Sequence, residues 1–160
     1  MKKNYNFGYT KVNPKQKTNL VQNVFSRVAS NYDTMNDLMS LGMHRLWKKR
    51  FIEIIDLKKG DIVIDVGSGS GDIANALMKT NLPSKIILLD LNKKMLDQGK
   101  GRFKNETNVD FVIGNAEKLD FQNNYFDKYT ISFCLRNVTD YIKSIEEAYR
   151  VLKPGGKYCC

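Results

Sequence analysis

A chain of 160 residues with 42% hydrophobic and 27% charged side chains can build one core, and no apolar run approaches the roughly 20 residues that span a bilayer. Its three cysteines, Cys134, Cys159 and Cys160, show neither metal-ligand spacing nor a Cys-x-x-Cys pattern, so no metal site is expected and reduced cytosolic thiols are. The net charge of +9 is uneven, because residues 1–59 hold twelve Lys/Arg against four Asp/Glu while residues 60–160 carry a net +1.

Residues 1–12 are polar and aperiodic and read as a mobile arm. Asn13-Pro14 supplies a cap and a first helical position, followed at helical spacing by Leu20, Val21, Val24, Phe25, Val28, Ala29 and Tyr32. A short segment from Asp33 to Leu41 stops at Gly42. A helix from about Met43 to Ile55 then sets Leu46, Trp47, Phe51, Ile54 and Ile55 on one face, with Lys48 and Lys49 off it. Lys58-Lys59-Gly60 ends this helical preamble. The chain next predicts a strand over Ile62–Val66, three alternating glycines (Gly67, Gly69, Gly71) and a helix from about Asp72 to Lys79.

A second strand covers Lys85–Leu89, and Asn92 caps a helix carrying Met95, Leu96, Gly99 and Phe103 inward. Strand three is Val109–Ile113 and strand four Tyr129–Phe133, with Lys128 at its foot expected to snorkel to water. The last helix begins near Thr139 and stops at Lys153-Pro154-Gly155-Gly156. Such alternation predicts an α/β fold, a Rossmann-like doubly wound parallel sheet covered by helices on both faces. The chain reaches Cys160 where a fifth strand would start, which leaves strand four as an open edge and the sheet truncated.

The glycine loop carries the chemistry. Glycine serves where backbone takes positive φ or approaches a ligand closely, and the N–H groups at a helix start then face that ligand. Asp90, about 20 residues on, is placed to hold ribose hydroxyls. A dinucleotide fingerprint needs a glycine at position 72, where this chain has Asp72, a carboxylate that would repel a pyrophosphate. S-adenosylmethionine has no phosphate and carries a sulfonium and an ammonium, which acidic residues such as Asp65 and Asp72 suit. Asp65-x-Gly67-x-Gly69-x-Gly71 resembles motif I of class I methyltransferases.

Three further stretches narrow this resemblance: Tyr32-Asp33-Thr34-Met35-Asn36 through His44-Arg45-Leu46-Trp47; Asn115-Ala116-Glu117-Lys118-Leu119; and Leu135-Arg136-Asn137-Val138-Thr139-Asp140, leading to Arg150-Val151-Leu152-Lys153-Pro154-Gly155-Gly156. Over about Val24 to Gly156 the chain is similar to the ubiquinone/menaquinone biosynthesis C-methyltransferase family. The resemblance implies methyl transfer from S-adenosylmethionine to a ring carbon of a polyprenyl quinol, demethylmenaquinol or a methoxy-benzoquinol. It implies cofactor contacts at Ser70, Asp90, Asn115, Ala116 and Ser132, beside the loop residues Asp65, Gly67 and Gly69. It places Tyr32, Asn36, His44 and Asn137 at the substrate. Arg136 is the first catalytic candidate, as a cation stabilising a phenolate, and Asp33 the second, as proton acceptor.

Structural roles compete at several of these positions. His44 could equally pack or cap a helix start, Asp33 could cap the segment that follows it, and Arg136 could pair with Asp140. Trp47, at helical spacing with Phe51, reads as core in preference to a quinone-stacking residue. Met35, Met39 and Met43 fit helix packing, or a flexible lid over a prenyl tail. The expected organisation is an arm over 1–12, a basic helical substrate lid over 13–59, and an S-adenosylmethionine-binding domain over 60–160 that is incomplete at its C-terminus. A membrane-resident substrate makes Lys48, Lys49 and Arg50 candidates for transient contact with an anionic membrane surface in preference to nucleic acid. The expected setting is the bacterial cytoplasm at the membrane periphery, with a homodimer or a quinone-biosynthesis complex left open. The competing readings are another small-molecule methyltransferase, an inactive cofactor-binding fragment and, disfavoured by Asp72, an NAD-dependent dehydrogenase.

Overall fold

Five parallel strands form the central sheet of the computed structural model, which describes residues 5–7, 9–29, 35 and 38–160, leaving aside the side chains of residues 5–7, 44 and 45. In chain order the elements are β1 (Tyr5–Phe7), β2 (Thr10–Val12), α1 (Pro14–Val28), α2 (Met43–Ile55), β3 (Ile62–Val66), α3 (Asp72–Met78), β4 (Lys85–Asp90), α4 (Lys93–Lys100), β5 (Val109–Ile113), β6 (Phe126–Thr130), α5 (Tyr141–Val151) and β7 (Leu152–Cys159). The sheet runs β5-β4-β3-β6-β7. Within β3 and β4 alternate residues go to opposite faces. Ile64, Val66, Ile87 and Leu89 pack with Ala148 and Val151 of α5, while Val63, Ile86 and Leu88 pack with α3, α4 and Ile55 of α2. This period of two, with apolar residues at both phases, is what a parallel strand covered on both faces requires.

Local signals explain the helix starts. Asn13 closes a capping box with Gln16, each side chain accepting from the other's backbone N–H, and Pro14 takes the first helical position. The side chain of Asn92 accepts from the backbone N–H of Lys94 and Met95, and that of Asp140 from Lys143.

Three expectations change. Of the arm, Tyr5–Phe7 and Thr10–Val12 pair as an antiparallel hairpin, with Tyr5 opposite Val12 and Phe7 opposite Thr10. Strand four runs over Phe126–Thr130, three residues earlier than expected, because its ladder sets Lys128 beside Val63 and Thr130 beside Asp65 and the backbone turns left-handed at Phe133 (φ 56°). Lys128 therefore sits mid-strand at 7% exposure, and an ion pair to Asp61 at 3.8 Å replaces the expected route to water. The fifth strand is formed, so β6 is not an edge: β7 begins directly after α5 and pairs with β6 from Leu152 to Cys159. An irregularity between Phe126 and Lys128 absorbs the Pro154-Gly155-Gly156 stretch that read as a stop.

Candidate functional site

The loop after β3 is tied to the end of β4. Gly67 N–H donates to the Leu89 carbonyl at 2.8 Å, and Gly69 N–H to Asp90 Oδ2 at 2.9 Å. Asn92 N–H donates to Asp90 Oδ1 at 2.7 Å, so the Asp90 carboxylate is clamped at the carboxyl edge of the sheet. Burial raises its pKa against these stabilising N–H groups. Gly67 is needed twice over: its φ is 65°, and a Cβ there would lie 2.2 Å from Cys134 Sγ. The Cys134 thiol is pushed up to about 12, first by burial and then by Asp90 and Asp65, which keeps it protonated and packed against the loop.

Beyond the carboxyl ends of β3, β4, β5 and β6 lies an open cleft of about 830 Å³. Gly67, Gly69, Asp90, Asn92 and Met95 form one wall; Asn115, Ala116 and Glu117 a second; and Ser132, Phe133, Cys134 and Asn137 a third. Helix α1 closes the cleft with Thr18, Val21, Gln22 and Phe25, one face at i, i+3, i+4 and i+7. It is fastened at both sides. Asn92 Nδ2 donates to the Gln22 carbonyl at 3.1 Å and to Ser26 Oγ at 2.8 Å. Opposite, Lys17 Nζ donates to the Val138 carbonyl at 2.9 Å and Thr18 Oγ1 meets Thr139 Oγ1 at 3.0 Å. Glu117 Oε1 accepts from the Thr139 and Asp140 N–H groups at 3.0 Å, joining the second and third walls.

The charged lining among the described residues is acidic. Among the described residues Asp90 and Glu117 line the cleft and no Lys, Arg or His does. Beneath the loop Asp65 is 1% exposed; its Oδ1 accepts from Thr130 Oγ1 at 2.7 Å, and its Oδ2 has no hydrogen-bond partner among the described groups. Burial raises its carboxyl to about 7, with Thr130 opposing and Asp90 and Asp72 adding. Asp72 itself is turned to other work, since Lys48 of α2 and Arg102 both pair with it. Burial opposes its charge, but those two cations outweigh burial and hold its carboxyl below the usual carboxylate range. Paired with two cations, Asp72 no longer repels a pyrophosphate, and Glu117 is the acid on the cleft wall beyond the ribose-holding Asp90.

A family model described as the ubiE/COQ5 methyltransferase family matches residues 10–160. The chain belongs to the ubiE/COQ5 methyltransferase family. Curated relatives named ubiquinone/menaquinone biosynthesis C-methyltransferase include one from Hydrogenovibrio crunogenus, 46% identical over 98% of this chain and 63% of its own, and one from Rickettsia prowazekii, 49% identical over 98% and 66%. The chain thus spans just under two thirds of the length of these family members. The fold resembles the Haloferax volcanii chain solved with the Trm112 methyltransferase activator, at TM-score 0.73 and 25% identity over 84% of this chain and 57% of that one.

For this ubiE/COQ5 family member the structure brings Gly67, Gly69, Asp90, Asn115, Ala116, Ser132 and Asn137 to one cleft. Asp65 and Ser70 are buried, and neither is among the cleft walls; the Ser70 backbone packs so closely on α4 that a Cβ at Gly99 would lie 2.7 Å from its carbonyl oxygen. Arg136 is exposed on the turn Leu135–Asn137 and is not a wall residue. Tyr32, Asp33 and Asn36 lie outside the described residues, as does the His44 side chain. Trp47, read as core, is 50% exposed: Phe51 is the ring of that helix packed against the core, and Trp47 meets only the exposed cleft residue Phe133 among the described rings. Sequence reasoning missed Thr18, Gln22, Glu117 and Phe133. The signal for the first two was present, as polar residues set into the apolar stripe of α1.

Proposed function

We propose that the chain binds S-adenosylmethionine and presents it to a polyprenyl quinol, demethylmenaquinol or a methoxy-benzoquinol, for methylation at a ring carbon. One observation carries this reading: a nucleotide-type cleft whose charged groups among the described residues, Asp90 and Glu117, are both acidic. Such a lining suits a cationic nucleoside without phosphate and, among the described residues, offers a pyrophosphate no cation. The residues fit that ligand, with Asp90 to hold ribose hydroxyls, Asn115 and Ala116 to border the adenine, and the Gly67–Gly69 backbone to admit the amino-acid end. When bound, S-adenosylmethionine supplies an electrophilic methyl group.

The chain's own contribution is alignment and charge. Methyl transfer needs the acceptor carbon in line behind the methyl, so fixing both partners in one cleft supplies much of the rate. In this reading Asn137, a cleft wall residue, orients a ring hydroxyl, and Arg136, exposed on the same turn outside the walls, stabilises phenolate charge once the substrate extends to it. Within the 13–59 substrate lid, helix α1 is the part that closes the cleft, held there by Asn92, Val138 and Thr139. No described helix is long and apolar enough to cross a membrane. Exposed Leu38, Met39, Leu41 and Leu46, with exposed Lys49 and Arg50, support transient docking on an anionic bilayer where a prenylated substrate resides.

The test is transfer of a labelled methyl group from S-adenosylmethionine to short-chain demethylated quinols, with the product mapped by NMR. Label on a ring carbon is expected. Label on a phenolic oxygen, or transfer to amines alone, would contradict the assignment.

A further inference from the structure

Two aromatic rings stand in water at the mouth of the cleft. Phe133 is 54% exposed and Trp47 50% exposed, with ring centroids 6.3 Å apart and planes inclined at 44°. That arrangement is neither a close stack nor an edge-on contact, so much of each ring face is unused by the pair. Phe133 is a wall residue of the cleft, lying between the wall residues Ser132 and Cys134, and Cys134 packs on Gly67. A ligand ring at Phe133 would therefore lie beside the loop that admits the nucleoside.

Both rings are held from behind. Phe133 has φ 56°, a left-handed conformation that a bulky side chain adopts at a cost and that clusters at ligand sites. Trp47 rides on α2, which is fixed by the Lys48 pair to Asp72, by Lys157 Nζ donating to the Ile54 carbonyl at 2.6 Å, and by fully buried Ile55. Exposed, uncharged rings, Phe133 on the cleft wall and Trp47 beside it, offer π surface and little else. They select a flat aromatic molecule over an aliphatic one.

We propose that Phe133 and Trp47 form the subsite that takes the planar ring of the methyl acceptor, an assignment that rests on the methyl-transfer reading above. Trp47 is the chain's single tryptophan, so its fluorescence reports the subsite directly. The probe is 2,3-dimethyl-1,4-naphthoquinone, which has no free ring position for cysteine attack, with decanoate as the aliphatic comparison. Saturable quenching by the naphthoquinone is expected, not reversed by decanoate, with the midpoint weakened about tenfold in Phe133→Leu and restored in Phe133→Tyr. Phe133→Gly relieves the left-handed backbone and keeps the fold, and should show the same weakening with an unchanged circular dichroism spectrum. Because Phe133 is also a wall of the nucleoside cleft, calorimetric affinity for S-adenosylhomocysteine is the internal reference: in Phe133→Leu the naphthoquinone midpoint should weaken about fivefold more than that affinity does. Equal midpoints in the chain and Phe133→Leu, or displacement by decanoate, would overturn the subsite. Absence of heat with S-adenosylhomocysteine beside normal quenching would instead overturn the methyl-transfer reading and leave an aromatic-ring subsite standing.

Discussion

A carboxyl sealed beneath the glycine loop makes Asp65 the residue whose chemistry depends most on its surroundings. Burial raises it from 3.8 to about 7, so the folded chain holds a proton there that the unfolded chain has released. Its contribution to stability is therefore fully present below the unfolded value and lost as pH climbs through about 7. Asp65→Asn keeps the shape and removes the titration. Urea midpoints measured from pH 4 to 8 should fall for the parent chain and stay flatter for the variant; parallel curves would show that Asp65 is not the group responsible. The sequence pointed to Asp65 as a ligand-facing acid, but which way a strand residue faces depends on the sheet around it. Here the ladder places it beside Thr130, out of the cleft.

At the scale of elements the lesson lies in α1 and β6. The start of α1 was legible because a capping box and an N-terminal proline are local chemistry. Its docking was not, because Asn92 reaches it from 66 and 70 residues away. Asn92 caps α4, anchors Asp90 and tethers α1, and is buried throughout. Asn92→Ala should cost roughly 2 kcal/mol in urea unfolding, from the lost cap and the buried bonds left unmade. It should also weaken S-adenosylmethionine binding, whereas Lys93→Ala beside it should do neither. Strand β6 was misplaced for the opposite reason: a lysine argues against a buried strand until a distant carboxylate answers it. Asp61 lies 67 positions before Lys128 and no local pattern links them. The strand β7 reads as a stop for the same cause, since pairing with β6 carries the chain through Pro154-Gly155-Gly156.

For the molecule as a whole, net charge is uneven along the chain while the cleft draws on both parts, with α1 closing what the sheet loops build. The net positive charge is concentrated in 1–59, while among the described residues the charged groups on the cleft walls are Asp90 and Glu117. If the extension docks on lipid, co-sedimentation with anionic vesicles should be strong at low salt and fall steeply toward 0.5 M, as screening shortens the reach of the lysines. Binding that ignores both salt and lipid charge would remove the membrane from the account. The central claim is the identity of the nucleoside, and calorimetric titration of the chain with S-adenosylmethionine and, separately, with NAD tests it most directly. Saturable heat with S-adenosylmethionine, lost in Asp90→Ala, and none with NAD is the predicted result; binding of NAD without S-adenosylmethionine would contradict it.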